Sequence, residues 1–299
     1  MAKWLKSQDH LLFSVERGVA KVKLNRPEKR NALSPELINE LYDAMLEADD
    51  RTDVNVVVLE GAGKDFCAGY DLASTYGGDA SGQSEKPRED SLYRSARTFD
   101  NDAWRLQHVN HKLLVMFDMH KPVIAKVHGN CLAGGMEMAL TCDFIIAADD
   151  ARIGHPATRA LGTPPVNMLM YSVGPQWARR LLLSGDIVTG RDAARIGLAL
   201  DSVPQAMLDE EVDRLAARIG SLDGELLATH KRVVNLALEL AGARTLQRLT
   251  AEADARAHIA QGPRRAQYVS DVAAFGTKEA IRRRDAPFGR DPLKIHALD

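Results

Sequence analysis

Apolar and polar side chains alternate along Phe13-Ser-Val-Glu-Arg-Gly-Val-Ala-Lys-Val-Lys-Leu24, on either side of Gly18. A period of two is that of a half-buried strand, so the segment predicts a strand pair with a turn at Gly18. The period then changes. Ser34 and Pro35 supply an N-cap and a first-turn proline, and Leu37, Leu41, Ala44 and Ala48 recur at helical spacing. A helix of about four turns is expected there. Val54-Asn-Val-Val-Val-Leu59 is a short β-branched run of the kind buried on both faces, and it ends in Glu60-Gly-Ala-Gly63. Strand, helix, strand is the beginning of an α/β pattern.

Thr75 to Arg97 is rich in Gly, Ser, Asp and charged residues with little apolar periodicity, which predicts a mobile surface insertion. Leu106, Val109, Leu113 and Met116 predict a helix over Trp104 to Met119, and Pro122 to Val127 and Phe144 to Ala148 predict two more strands. From Trp177 the pattern is mainly helical, with helices expected over 179–183, 190–197, 205–219, 226–240 and 244–261. No internal repeat of solenoid length is present. The fold class is α/β, with a strand-rich region over residues 1–204 and an all-helical one over 205–299.

Composition narrows the function classes. The 299 residues carry 39 Lys and Arg against 41 Asp and Glu, a net charge of -2, so no global field would draw the chain onto nucleic acid or an acidic membrane. The longest apolar stretches fall far short of the roughly 20 residues that a membrane span needs. Met1 to His10 has no apolar core or small-residue cleavage site, so no secretory signal is expected. Cys67, Cys131 and Cys142 show no paired ligand spacing; a reducing, cytoplasmic setting without structural zinc fits best.

Two loops that follow strands hold the candidate chemistry. One is Asp65-Phe-Cys-Ala-Gly-Tyr-Asp-Leu72, the other His128-Gly-Asn-Cys-Leu-Ala-Gly-Gly-Met-Glu-Met-Ala-Leu140, running into Thr141-Cys-Asp143. Glycine allows turns denied to other residues and lets a ligand approach the main chain. An exposed N–H from each loop, converging on one point, would stabilise a negative oxygen developing on a thioester or similar carbonyl. A helix expected to begin near Gly135 would turn its positive end toward the same oxygen.

The first loop resembles the F-x-A-G-x-D-L segment of the crotonase (enoyl-CoA hydratase/isomerase) family, and the second its G-x-x-x-G-G-G-x-E-L-A-x-x-C-D segment. Asn25-Arg-Pro27 with Asn31-Ala-Leu33, Leu183 to Asp186 through Ala194 to Leu198, and Phe288 extend the likeness from about residue 12 to about residue 290, in family order. The resemblance implies a β-β-α spiral core with a C-terminal helical trimerisation region. It also implies acyl-CoA substrates, an oxyanion hole, and a homotrimer or dimer of trimers. No cofactor is expected, because coenzyme A is part of the substrate.

Carried onto this chain, the two donating amides are those of Tyr70 and Gly134, and the Tyr70 ring narrows the acyl pocket. Lys29, Arg30 and Ala32, with Ala68, Asp71 and Leu72, fall where the family holds the CoA nucleotide and pantetheine. Arg283 falls at its C-terminal basic residue, beside Ala280 where the family has an aromatic. Glu137 matches the first of two glutamates that handle water and proton in a hydratase. The second is absent: Gly154-His155-Pro156 is followed by Ala157 and Thr158. Downstream, a turn usually rich in glycine is Gly162-Thr-Pro-Pro-Val-Asn167.

Each candidate stands against a plainer reading. Glu137 is otherwise a carboxylate favoured in a first helical turn by the dipole. His155 is by position the replacement base, or else a buried hydrogen-bonded histidine. Arg159 and Asn167 are candidates for a polar acyl group, with solvation the usual fate of a loop arginine. His108 and His111 lack further metal ligands, Arg282 to Arg284 with Arg290 equally suit a solvated basic face, and no G-x-S-x-G elbow is present. Hydration of a 2-enoyl-CoA is the nominal reaction. Isomerisation, carbon-carbon cleavage, thioester hydrolysis and a non-catalytic acyl-CoA-binding subunit are the alternatives.

Overall fold

The alternating segment forms β1 (Leu11–Glu16) and β2 (Val19–Leu24), antiparallel, with Phe13 opposite Val22 and Val15 opposite Ala20. Arg17 and Gly18 both take positive φ, 50° and 80°, the turn handedness that matches twisted strands. These are features of a computed structural model that describes residues 2–72, 98–289 and 291–295. The expected insertion over 75–97 and Arg290 lie outside the described residues.

Helix α1 (Pro35–Asp50) starts where the cap predicts: Ser34 Oγ accepts from the Leu37 N–H at 3.3 Å. Leu37, Ile38, Leu41, Ala44, Met45 and Ala48 are its buried apolar stripe. The chain returns as β3 (Val56–Gly61), parallel to β2 and buried at every position. β4 (Val123–Val127), β6 (Phe144–Ala148) and β9 (Asp201–Val203) complete a six-stranded sheet in the order β1-β2-β3-β4-β6-β9, parallel from β2 onward. A smaller sheet joins β5 (Asn130–Leu132), β7 (Arg152–Gly154) and β8 (Ile187–Thr189). The strands β5, β7, β8 and β9 escape sequence reasoning because three residues cannot display a period.

The one helix expected over 104–119 is two. α2 (Phe99–Leu113) starts earlier, with Thr98 Oγ1 accepting from the Asn101 N–H at 3.2 Å, and α3 (Val115–Asp118) follows after a break at Leu114. α4 (Gly134–Ala139) is a short helix after β5. α5 (Leu169–Ser184) is broken at Gly174, whose φ is 70°, just before Pro175. Its second half contains the helix expected over 179–183.

The later expectations match α6 (Gly190–Arg195), α7 (Leu208–Gly220), α8 (Gly224–Leu240) and α9 (Ala243–His258). α10 (Pro263–Phe275) and α11 (Thr277–Asp285) continue the helical region. α7 lays Leu208, Val212, Ala216 and Ile219 on β3, β4 and β6. Because β3 and β4 are adjacent and parallel, the loops that leave them emerge at the same edge of the sheet. That is why two glycine-containing loops far apart in sequence become neighbours.

Candidate active site

The loop after β3 and the chain entering α4 are stitched together by backbone. The Cys67 N–H donates to Asn130 O at 2.9 Å, the Leu132 N–H to Cys67 O at 3.0 Å, and the Ala133 N–H to Gly154 O at 2.9 Å. Gly69, at φ 107°, takes a conformation that other residues rarely adopt. A methyl there would lie 3.0 Å from Ala133 Cβ and 3.5 Å from the Gly134 nitrogen. The Gly69–Tyr70 stretch therefore runs directly past the first amide of α4.

Tyr70 is fixed from the other side as well. It forms a parallel bridge with Leu33; the Leu33 N–H donates to Gly69 O at 2.8 Å and the Asp71 N–H to Leu33 O at 3.0 Å. Fully buried Asn31 accepts from the Arg26 N–H and donates to Ala62 O and Asp65 O. Ala133 enters α4 at φ 48° and ψ -122°, a region costly for a residue with a Cβ. The strain is held by the surrounding bonds, and it sets where the Gly134 N–H begins the helix. First-turn amides have no intrahelical acceptor.

Glu137 lies in that first turn and is 1% exposed. Its Oε2 accepts from the Tyr70 hydroxyl at 2.9 Å and from the Val166 N–H at 3.4 Å, while His155 Nε2 meets Oε1 at 3.0 Å. A carboxylate only accepts, so the proton of this last bond is assigned to His155 Nε2. The other ring nitrogen, Nδ1, is buried without a partner. The Tyr70 ring lies across Gly134, where a methyl would come within 2.8 Å of Tyr70 Cε2. Burial, with the negative Glu137 and Asp65 nearby, pushes the Cys67 thiol up to about 12, which removes it as a thiolate nucleophile near neutral pH.

Helix α9 holds the 163–167 loop in place. Gln247 Oε1 accepts from the Asn167 N–H at 2.7 Å, Thr250 Oγ1 donates to Pro165 O at 2.7 Å, and Asp254 Oδ1 accepts from the Thr163 N–H at 2.9 Å. Asn110 Nδ2 of α2 also donates to Pro165 O at 2.8 Å. This clamp presents Val166 to Glu137. Burial pushes the Asp254 carboxyl up to about 6; His258 opposes the rise and the Glu137 charge adds to it. Sequence reasoning missed the clamp, although Gln247, Thr250, Asp254 and His258 recur at helical spacing, a polar stripe where a core face is expected.

The structure brings Tyr70, Gly134, Glu137 and His155 together. It also places the Lys29–Ala32 segment beside Ala68, whose N–H donates to Arg30 O at 3.0 Å. Lys29 and Arg30 are exposed, Ala32, Ala68 and Leu72 half-buried, and Asp71 is paired with Arg26 at 2.9 Å. Arg283 stands apart on α11, paired with Glu279 at 3.1 Å and stacked on Phe275. It lines a cavity of about 290 Å³ with Arg264, Tyr268 and Arg284.

Several expectations change. Arg159 is not solvated: its side chain is 6% exposed, donates to Gly185 O, pairs with Asp285 at 3.2 Å and stacks on Phe288. Arg284 is likewise buried against Asp285, so the basic run is only partly a solvated face. Asn167 is held through its backbone by Gln247, while its side-chain Oδ1 is buried without a hydrogen-bond partner. His108 stacks on Trp104, and His111 faces Tyr42. Among the described residues no group of three or more His, Cys, Asp or Glu is placed to hold a metal, and no helix is long and apolar enough to cross a membrane.

The chain is similar to known proteins in both sequence and fold. The sequence model of the enoyl-CoA hydratase/isomerase family matches residues 14–265. A crotonyl-CoA hydratase of Syntrophomonas wolfei is 33% identical over 217 residues, 71% of this chain and 75% of that protein. A hydroxycinnamoyl-CoA hydratase-lyase of Pseudomonas fluorescens is 34% identical over 209 residues, 69% of this chain and 70% of that one. The crystal structure of an enoyl-CoA hydratase from Mycobacterium smegmatis superposes with a TM-score of 0.83 at 33% identity, covering 95% of this chain and 96% of that chain.

Proposed function

The chain belongs to the enoyl-CoA hydratase/isomerase family, and from that premise we propose that it performs acid/base chemistry on an acyl-CoA thioester through an enolate. The Tyr70 and Gly134 amides hold the thioester oxygen, and Glu137 moves the proton. One observation carries the reading: a carboxylate 1% exposed sits in the first turn of the helix whose opening amide abuts the Gly69–Tyr70 stretch. Each donor of such a hole contributes on the order of 3 kcal/mol to the transition state.

Addition of water to a 2-enoyl-CoA is the nominal reaction. The position of a second glutamate is taken by Ala157 and Thr158, on the turn Pro156–Arg159. Double-bond isomerisation, carbon-carbon cleavage and thioester hydrolysis therefore remain open, and the crotonyl-CoA hydratase and hydroxycinnamoyl-CoA hydratase-lyase among the relatives support both addition and cleavage. His155, already bonded to Glu137, is assigned to orienting that carboxylate. Lys29, Arg30, Ala32, Ala68, Asp71 and Leu72 form the CoA-binding edge. Arg283 reaches a phosphate only from another subunit, in a homotrimer or dimer of trimers. The exposed Val233, Val234, Leu236 and Leu240 of α8 support such association within the 205–299 region.

Crotonyl-CoA and related thioesters, screened by mass change with wild type and Glu137→Ala, test the reading. Product from wild type that disappears in the variant is expected; turnover that survives unchanged overturns the assignment of Glu137. The three donors already on Glu137 favour a second reading, in which the carboxylate is structural and the chain is a non-catalytic acyl-CoA-binding subunit. Tight CoA binding with no product from any thioester is its signature.

A further inference from the structure

Resting on that acyl-CoA reading, we propose that the Tyr70 hydroxyl is the second proton-handling group of the site, delivering the proton to C2 of the acyl chain and recovering it from Glu137. Three observations support the assignment. The ring lies on Gly134, with a methyl at that residue coming within 3.0 Å of Tyr70 Cζ, the carbon that bears the hydroxyl. In that reading the Gly134 amide holds the thioester oxygen, and C2 is two bonds from that oxygen, which brings C2 to the neighbourhood of a ring seated on Gly134. The hydroxyl itself is 2.9 Å from Glu137 Oε2. The remaining turn where a second acid is expected offers only Ala157 and Thr158, and Thr158 Oγ1 is turned back to His155 O at 3.3 Å.

The step closes in atoms and electrons. Glu137 takes a proton from water as the water oxygen bonds to C3, and the C2–C3 π electrons move into the thioester to give the enolate. The enolate electrons return to form the C2–H bond with the phenolic proton of Tyr70, leaving a phenolate beside a protonated Glu137. The carboxylic proton then crosses the hydrogen bond to the phenolate. Side-chain phenols and carboxylic acids ordinarily differ by roughly 6 pKa units, so this return is strongly downhill. The net change is one water added across the double bond, with both residues restored. His155 Nε2 and the Val166 N–H stay on the carboxylate throughout and keep it aimed.

Tyr70→Phe keeps the ring on Gly134 and removes only the hydroxyl. The assay follows product formation from crotonyl-CoA, and C2–H exchange of 3-hydroxybutyryl-CoA and butyryl-CoA with D2O by mass spectrometry. The variant is expected to lose both by about 10²- to 10⁴-fold, the usual contribution of a positioned acid or base, while its affinity for butyryl-CoA stays that of wild type. Replacing Tyr70 by 3,5-difluorotyrosine, a more acidic phenol, is expected to move the alkaline limb of the pH-rate profile to lower pH. A residue that only supported the fold would not move that limb. Turnover and exchange unchanged in Tyr70→Phe but abolished in Glu137→Gln overturn the proposal and leave the acyl-CoA reading standing. Wild type with no product and no exchange on all three thioesters overturns both.

Discussion

The join between the two loops turns on Gly135. A methyl there would lie 2.9 Å from Cys67 Cβ and nearer still to the Cys67 carbonyl oxygen, where ordinary carbon contacts need about 3.5 Å or more. The neighbour is main chain and cannot rotate away, so Gly135→Ala must part the loop after β3 from α4 by roughly 1 Å. Overpacking of a buried site costs about 1–3 kcal/mol. Loosening the 3.0 Å bond from the Leu132 N–H to Cys67 O costs about 1 more. The better helix propensity of alanine returns about 1 kcal/mol. A net loss of about 2 kcal/mol lowers the melting temperature of a chain this long by roughly 4 °C. The same displacement separates the Tyr70 and Gly134 amides, and misplacement on the order of 1 Å costs about 10²-fold in rate. Thermal denaturation followed by circular dichroism and kcat/KM on the active thioester read both effects. Gly220→Ala, whose methyl would have Val56 Cγ1 at 3.9 Å as its nearest neighbour, is the neutral control. A Gly135→Ala protein that melts and turns over like wild type would refute the close contact of the two loops.

Two further perturbations test the frame around the site. Asp254, 4% exposed, has its carboxyl pushed up by burial to about 6. The native state therefore binds its proton more tightly than the unfolded chain, and the stability this gives is full below about pH 4 and is lost as pH rises toward 6, by about 3 kcal/mol. Asp254→Asn, which can still accept from the Thr163 N–H, is expected to gain on wild type across that window in thermal scans at stepped pH; parallel curves would contradict the assignment. Lys231, 8% exposed, donates to Met116 O, Lys121 O and Asp143 Oδ2, the last at 2.8 Å. Lys231→Met strands Asp143, whose carboxyl is already raised by burial, and should cost about 3–5 kcal/mol in urea unfolding. The double variant with Asp143→Asn should recover part of it, and equal loss in both would refute the pairing.

What could be read from the chain followed the range of its interactions. α1 was legible because its cap, proline and apolar stripe are local, and β3 because a β-branched run is unusual in any other setting. The strands β5, β7, β8 and β9 were not, since three residues show no period and β5, β7 and β8 are strands only through pairing with one another across the chain. The two amide-bearing loops were legible through glycines and family motifs. The Tyr70 hydroxyl on Glu137 joins residues 67 apart, and the bond from the Asn167 N–H to Gln247 spans 80. Nothing local in the sequence marks such bonds. Arg159 shows the converse: a loop arginine is ordinarily solvated, and only the arrival of Asp285 and Phe288 buries it.

Two amides from separate loops are proposed to grip one thioester oxygen next to a buried carboxylate. A crystal structure with crotonyl-CoA bound to the Glu137→Gln protein measures this directly. The thioester oxygen is expected about 2.7–3.1 Å from both the Tyr70 and the Gly134 nitrogens, with C2 and C3 facing residue 137. An oxygen bound by neither nitrogen, with the acyl chain directed away from α4, would contradict the account.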